Sequence, residues 1–338
     1  YMDSEKYQLK VRDFDQPGNI QCHIAQINAI RAANPALHHF SNTIFTNAWN
    51  DNVIANLRST NDRKNALLIM VNLDPHSAQG ADYEVPLWEF GLDDGATINV
   101  ESLGNGFSTL SFTGAGGATS TLGGTGEVVF SGDSSVESRG RVIVNTSTHG
   151  LTIGSGITIR SGSIGGSISH TSNNGPITVQ GTIVSDVTGD LVTISASPLT
   201  LSGSVQVSND AIFQATFQGV GGTIDSSATL DVNTGEIALF GDYVQDGTIT
   251  VTDSVLDLGN VVGDEWSNTG TITLNNATLE LGGTFTLADV GTITGTGTTL
   301  INGTFDNTGQ TVDLLAALPG TVEFASGAVV LGGTLNGG

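Results

Sequence analysis

The tripeptide Gly-Thr-Ile recurs through the second half of this chain, starting at 181, 222, 247, 270 and 291. The steps are 41, 25, 23 and 21 residues, so the first is close to two periods of the others. Asn-Thr-Gly returns at 233, 268 and 307, and Leu-Gly-Gly-Thr at 281 and 331. Units this short cannot bury an apolar side alone; they do so by stacking on their neighbours, which is the signature of a β-solenoid. Each coil then needs short strands with alternate residues inward. In Thr271-Ile272-Thr273-Leu274, Ile272 and Leu274 are expected inside and the β-branched threonines outside. Gly and Asn supply corners with φ > 0. Coils of ~22 residues over 113–338, stacked at the inter-strand spacing, predict about ten coils over roughly 50 Å. The irregular spacing leaves a β-sandwich or a tandem of small β-domains as the alternative.

The repeat has its own alphabet. Of 10 basic residues, 7 lie in 1–112, the last lysine is Lys64, and only Arg139, Arg141 and Arg160 follow. Of 46 glycines, 40 lie after 112. One packed domain rarely changes composition this way, so the chain divides into two unlike segments that meet within 91–113. The net charge of −23 argues against nucleic acid and against an anionic membrane surface, since both need Lys and Arg. A single cysteine, Cys22, excludes an internal disulfide. No apolar run approaches the ~20 residues of a membrane helix. The longest, Ala66 to Val71, reads as a buried strand. Neither end looks like a natural terminus, and the chain reads as truncated at both.

The first segment is mixed. Ile20, Ile24, Ile27 and Ile30 recur at helical spacing, Asn19 suits an N-cap, and Asn34-Pro35 ends the helix because a residue before proline avoids the α region. Strand-like runs follow at 42–46, 52–58, 66–73 and 82–88.

Several phrases here resemble a known family. Tyr1-Met2-Asp3-Ser4-Glu5-Lys6-Tyr7, Arg12-Asp13-Phe14-Asp15, Pro17-Gly18-Asn19-Ile20, Asn28-Ala29-Ile30-Arg31, Asn34-Pro35-Ala36-Leu37, Val71-Asn72-Leu73-Asp74-Pro75-His76 and Val85-Pro86-Leu87 are similar, in order, to the late part of α-1,4-glucan:maltose-1-phosphate maltosyltransferases of glycoside hydrolase family 13. The likeness fades after Gly91. Phe14 stands where the family usually has Trp, and Cys22-His23 replaces a charged or polar pair.

The resemblance, taken with the repeat, implies a mainly β fold with three parts. Residues 1–37 would be the end of a (β/α)8 barrel with its terminal helix at 20–33. Residues 38–112 would be the amylase-type C-terminal β-sandwich, and 113–338 the Gly/Thr-rich solenoid. Gly95 to Phe112 fit either the last sandwich strands or the first coil. The family transfers maltosyl from maltose 1-phosphate to an α-1,4-glucan with retention, which needs a carboxylate nucleophile and a carboxylic acid/base. The resemblance places these on earlier barrel strands, so no catalytic residue is expected in this chain. Lys6 and Tyr7 match the family's donor-sugar element: an ammonium donates to hydroxyls and a ring covers an apolar sugar face. No cofactor is implied.

The remaining chemistry-bearing residues have plainer readings. Asp13 and Asp15 suit a solvated loop, and Asp93-Asp94 a turn. His38-His39 lacks a third metal ligand, His76 sits in a turn, and nothing activates Cys22. Asp225, Asp231, Asp242, Asp246, Asp253 and Asp257 are scattered without the calcium-binding nonapeptide of β-rolls. Asn145, Asn276 and Asn302 begin Asn-x-Ser/Thr triplets of chance frequency, and Trp266 reads as a loop plug over the core.

Three functional readings follow. One is an inactive C-terminal fragment of a maltosyltransferase fused to a repeat. Another is a secreted or surface-associated, adhesin-like structural protein whose repeat faces a glycan or protein partner. The first segment implies a cytoplasmic location and the second an extracellular one. The third is an artefactual joining of two reading frames near residue 100.

Overall fold

The computed structural model of the protein describes residues 19–77, 79, 96–102, 107–132, 140–172, 175–260 and 263–336. It is mainly β, with 57% strand and 9% helix. The chain divides into two compact units, Tyr1–Leu92 and Asp93–Gly338.

In the first unit, helix α1 (Gln21–Ala33) forms where the isoleucine spacing predicts it. Ile20 is the N-cap, and the Asn19 side chain accepts from the Gln21 N–H at 3.1 Å. Asn34 leaves the helix in an extended conformation before Pro35, as sterics at a pre-proline residue require. A three-stranded antiparallel sheet follows: β1 (Thr43–Thr46), β2 (Val53–Ser59) and β3 (Ala66–Asn72). The run 82–88 lies outside the described residues.

Side-chain amides join helix to sheet. Asn65 Oδ1 accepts from the Ala36 N–H and its Nδ2 donates to Asn34 Oδ1, both at 3.0 Å, while Asn42 Nδ2 donates to the Ala36 carbonyl at 3.0 Å. Apolar burial is slight, with Ala36, Ala55 and Leu57 its inner residues. The isoleucines of α1 stay open, Ile20 at 63% and Ile27 at 64% exposure. The expectation of a buried strand at Ala66–Val71 is corrected in part. The strand is there, but none of its residues is buried, because it is the outer strand of a sheet with little cover among the described residues. Nor do the described residues form a (β/α)8 barrel; in the first unit they include one α-helix, Gln21–Ala33.

The second unit is a β-solenoid of about eight turns. Strands Ala96–Ser102, Ser108–Phe112 and Thr119–Leu122 pair in parallel with Gly126–Gly132, Gly140–Val144 and Gly150–Ile153 of the next coil. The strands Ala96–Ser102 and Ser108–Phe112, in a stretch open between sandwich and repeat in the sequence, thus belong to the solenoid's first coil. The turn number falls below ten because early coils are long: Ala96 pairs with Gly126, 30 residues on, and Gly126 with Ile157, 31 on. Later steps shorten, as from Thr248 to Thr271.

Alternation in the strand at Thr271 is as the repeat predicts: Ile272 and Leu274 are buried, as are Ile249 and Val251 one coil before. Four of the five Gly-Thr-Ile phrases open a coil. The one at Gly222 instead lies on the coil's third side, where Gly222 pairs with Tyr243, so the 41-residue step is not two coil periods. Gly247 and Gly270 have ordinary φ; a Cβ there would strike a carbonyl of the preceding coil. Close coil approach, rather than a left-handed corner, explains them. Positive φ falls on Thr234, Asp253 and Asn276, corner residues of successive coils.

Trp266 is no loop plug. It lies in the strand Trp266–Asn268, 3% exposed, and its indole donates to the Gly282 carbonyl at 3.1 Å. Its ring heads a stack with Phe285 and Phe305, each step 5.6 Å between centroids. Beside it runs a buried amide ladder, in which Gln245 Nε2 donates to Asn268 Oδ1 and Asn268 Nδ2 to the Val290 carbonyl.

The contrast in burial gives a first prediction. Ile272→Ala should lower the stability of the solenoid by about 2–5 kcal/mol through the cavity it leaves. Ile27→Ala on the open face of α1 should change stability by less than about 0.5 kcal/mol. Urea unfolding of the full chain, followed by circular dichroism, compares the two.

Candidate functional site

The proposed sugar-contacting pair, Lys6 and Tyr7, lies outside the described residues, as do Asp13, Asp15, Asp93 and Asp94. The remaining candidates of the first unit hold local structure. His38 Nε2 donates to the Arg31 carbonyl at 2.8 Å. The His39 carbonyl accepts from Arg58, and the His76 N–H donates to Asp74 Oδ1 at 2.9 Å. Cys22 is exposed, its sulfur 3.3 Å from His23 Nδ1. Among the described residues no three His, Cys, Asp or Glu side chains converge on a metal-sized site.

In the solenoid, the Asn-x-Ser/Thr asparagines tie coils together. Asn145 Nδ2 donates to Ser111 Oγ at 3.0 Å, Asn276 to Asp253 at 2.6 Å and Asn302 to Glu280 at 3.0 Å. Several of the scattered aspartates are likewise engaged locally. Asp225 is held below its ordinary pKa chiefly by the Ser227 hydroxyl, and Asp246 accepts from Thr269.

One outer side of the solenoid concentrates chemistry. Its rows follow from register. Ile212, Glu236, Val255 and Thr278 stack in one row, and Gln214, Ala238, Asp257 and Glu280 in the next. Glu236, Asp257 and Glu280 therefore come from three successive coils onto one patch, near Asp264. Asp257 is most affected. Burial, then the charges of Glu280, Glu236 and Asp264, raise its pKa from 3.8 to about 7, and its Oδ1 has no hydrogen-bond partner among the described residues. Burial and Glu280 also raise Glu236. The patch can hold a proton near neutrality. Sequence reading singled out Asp257 only as one of many scattered acids. The signal for the cluster was the spacing 236, 257, 280, close to the coil period, which becomes decisive once the strand register is known.

Residues 45–107 match the family described as "GLGE, C-terminal". Curated relatives named alpha-1,4-glucan:maltose-1-phosphate maltosyltransferase align with about the first hundred residues. The protein of Cereibacter sphaeroides is 54% identical over 106 residues, 31% of this chain and 16% of that protein. That of Pseudomonas aeruginosa is 51% identical over 106 residues, again 31% and 16%. That of Rhodospirillum rubrum is 46% identical over 115 residues, 34% and 17%. The chain thus spans about a sixth of the length of these relatives. No solved structure matches it. The GLGE C-terminal match runs beyond the first unit into the strand Ala96–Ser102, which pairs with the solenoid.

The acidic patch makes a pH prediction. Folded Asp257 keeps its proton to about pH 7, and the unfolded chain releases it near 3.8. Between these values the folded state binds more protons. The contribution of this site to stability is therefore full below about pH 4 and is lost as pH rises toward 7. Asp257→Asn keeps the shape without the charge, so its melting temperature should exceed that of the unmodified protein at pH 8, with the gap closing at pH 4. A gap of equal size at both pH values would show that Asp257 does not titrate this way.

Proposed function

We propose that the first unit is the C-terminal portion of an enzyme transferring maltosyl from maltose 1-phosphate to an α-1,4-glucan, and that this chain supplies none of the catalytic carboxylates. The observation that carries the reading is the 54% identity over 106 residues to a maltosyltransferase. Retaining transfer requires two carboxyl groups about 5–5.5 Å apart across the bond, and in that family they stand on earlier barrel strands. Lys6 and Tyr7 are assigned to the donor-sugar side of such a site, as a hydrogen-bond donor and an apolar platform.

The open face of α1 supports the same reading. As the last helix of a barrel, α1 would bury Ile20, Ile24, Ile27 and Ile30 against the neighbouring strands, at roughly 1.5–3 kcal/mol for each side chain fully covered. The solenoid is proposed as a non-catalytic extension of the same polypeptide. Joined reading frames are the poorer account, because the family-matching strand Ala96–Ser102 continues in register into the repeat.

Two measurements test this. The purified chain, given maltose 1-phosphate and a maltooligosaccharide acceptor, should release phosphate no faster than buffer; faster release would place catalytic groups in this chain. The reading frame upstream of the Tyr1 codon should continue into a barrel carrying an Asp, a Glu and a second Asp. A stop codon or unrelated sequence there would overturn the assignment.

A further inference from the structure

The same outer side of the solenoid carries a groove of about 490 Å³ between the coils of Ser204–Ile224 and Thr229–Gln245. Phe240 is the partly exposed aromatic of its lining, among mostly polar residues and glycine. Register explains why the ring stays open. Phe240 pairs with the short side chain of Thr216 on the preceding coil.

The walls are planar polar groups on either side of the ring. Gln214 and Gln218 flank Thr216 along one strand, and their amide nitrogens donate to Thr216 Oγ1 and Ser195 Oγ, so that each amide carbonyl oxygen is the group left to act as acceptor. Asp242 and Asp264 line the same groove. Both carboxylates are set in place by backbone N–H groups, of Glu265 at 3.0 Å and Asn260 at 2.9 Å.

We infer that this groove binds a neutral hexopyranose polymer, its sugar C–H face on Phe240 and its hydroxyls donating to Gln214, Gln218 and Asp242. Three features select that ligand class. An aromatic face bordered by carboxylates and amides matches the mixed apolar and hydroxylated surface of a pyranose. The carboxylates here, with Asp257 and Glu280 beside them, repel anions, and only three arginines follow residue 112 to attract one. The volume lies within the range of ligand clefts, roughly 300–1,000 Å³, and the groove is open to solvent rather than enclosed, as a polymer requires. The inference concerns the solenoid alone and stands or falls apart from the enzymatic reading of the first unit.

Affinity electrophoresis of the full chain tests it, in native gels containing soluble starch, hydroxyethyl cellulose or polygalacturonate. Retardation is expected in starch or in hydroxyethyl cellulose, which distinguishes an α- from a β-linked ligand, and not in polygalacturonate. Phe240→Ala should weaken the retardation at least tenfold in polymer concentration. The double substitution Gln214→Ala with Gln218→Ala, at partly exposed positions, should weaken it several-fold, and decides the matter if Phe240→Ala melts early by circular dichroism. Since the first unit is unchanged in these variants, retardation that survives the double substitution and any folded Phe240→Ala protein belongs elsewhere and overturns the inference. So does an absence of retardation in both neutral polymers, or equal retardation in polygalacturonate.

Discussion

Parallel, in-register hydrogen bonding from coil to coil is the constraint on which the second unit depends. Each strand uses its backbone donors and acceptors on the coils before and after it, so a residue has little freedom to avoid its counterpart one coil away. Side chains are forced into rows. Inside, a row must be apolar or internally bonded. The rows of Ile and Leu, the Trp266–Phe285–Phe305 stack and the Gln245–Asn268 ladder are three solutions to that one demand. Where backbones come closest, only glycine fits, as at Gly247 and Gly270.

The same stacking acts on the outside with opposite consequences. Register brings Glu236 of one row beside Asp257 and Glu280 of the next, from three successive coils of this acidic chain. The charge that results is what sets Asp257 apart chemically. On the same side the short side chain of Thr216 pairs with Phe240, which stays partly exposed. Patch and groove are therefore products of the coil period, and they lie side by side for that reason. The first unit has no such repeating constraint. Its helix and sheet are joined by the amides of Asn34, Asn42 and Asn65 over a small apolar interior.

Local elements were readable wherever a short-range rule applies. The isoleucine spacing located α1, Asn34-Pro35 its end, and the alternation around Thr271 the inward set of the strand. Readings that needed a neighbour went astray. The run at Ala66–Val71 is apolar enough for a core, yet its covering surface is not among the described residues. Trp266, flanked by acidic residues and glycine, looks like a loop until Tyr243 of the previous coil is found paired with it. The phrase at Gly222 matches the others letter for letter and still occupies a different side of its coil, because the corner segments before it are of different length.

By itself the sequence determined that two unlike segments share this chain, that the second stacks as β-coils, and that the first is similar to the end of a maltosyltransferase. These follow from composition, period and motif, which are properties of order along the chain. Only the tertiary structure decided that the repeat takes in Ala96–Ser102, that its coils number about eight, and that Asp257 meets Glu236 and Glu280. Those depend on register between coils, and the register is set by corner lengths and close backbone approach, which act between residues some twenty positions apart and leave only a faint, irregular trace in the order of the amino acids.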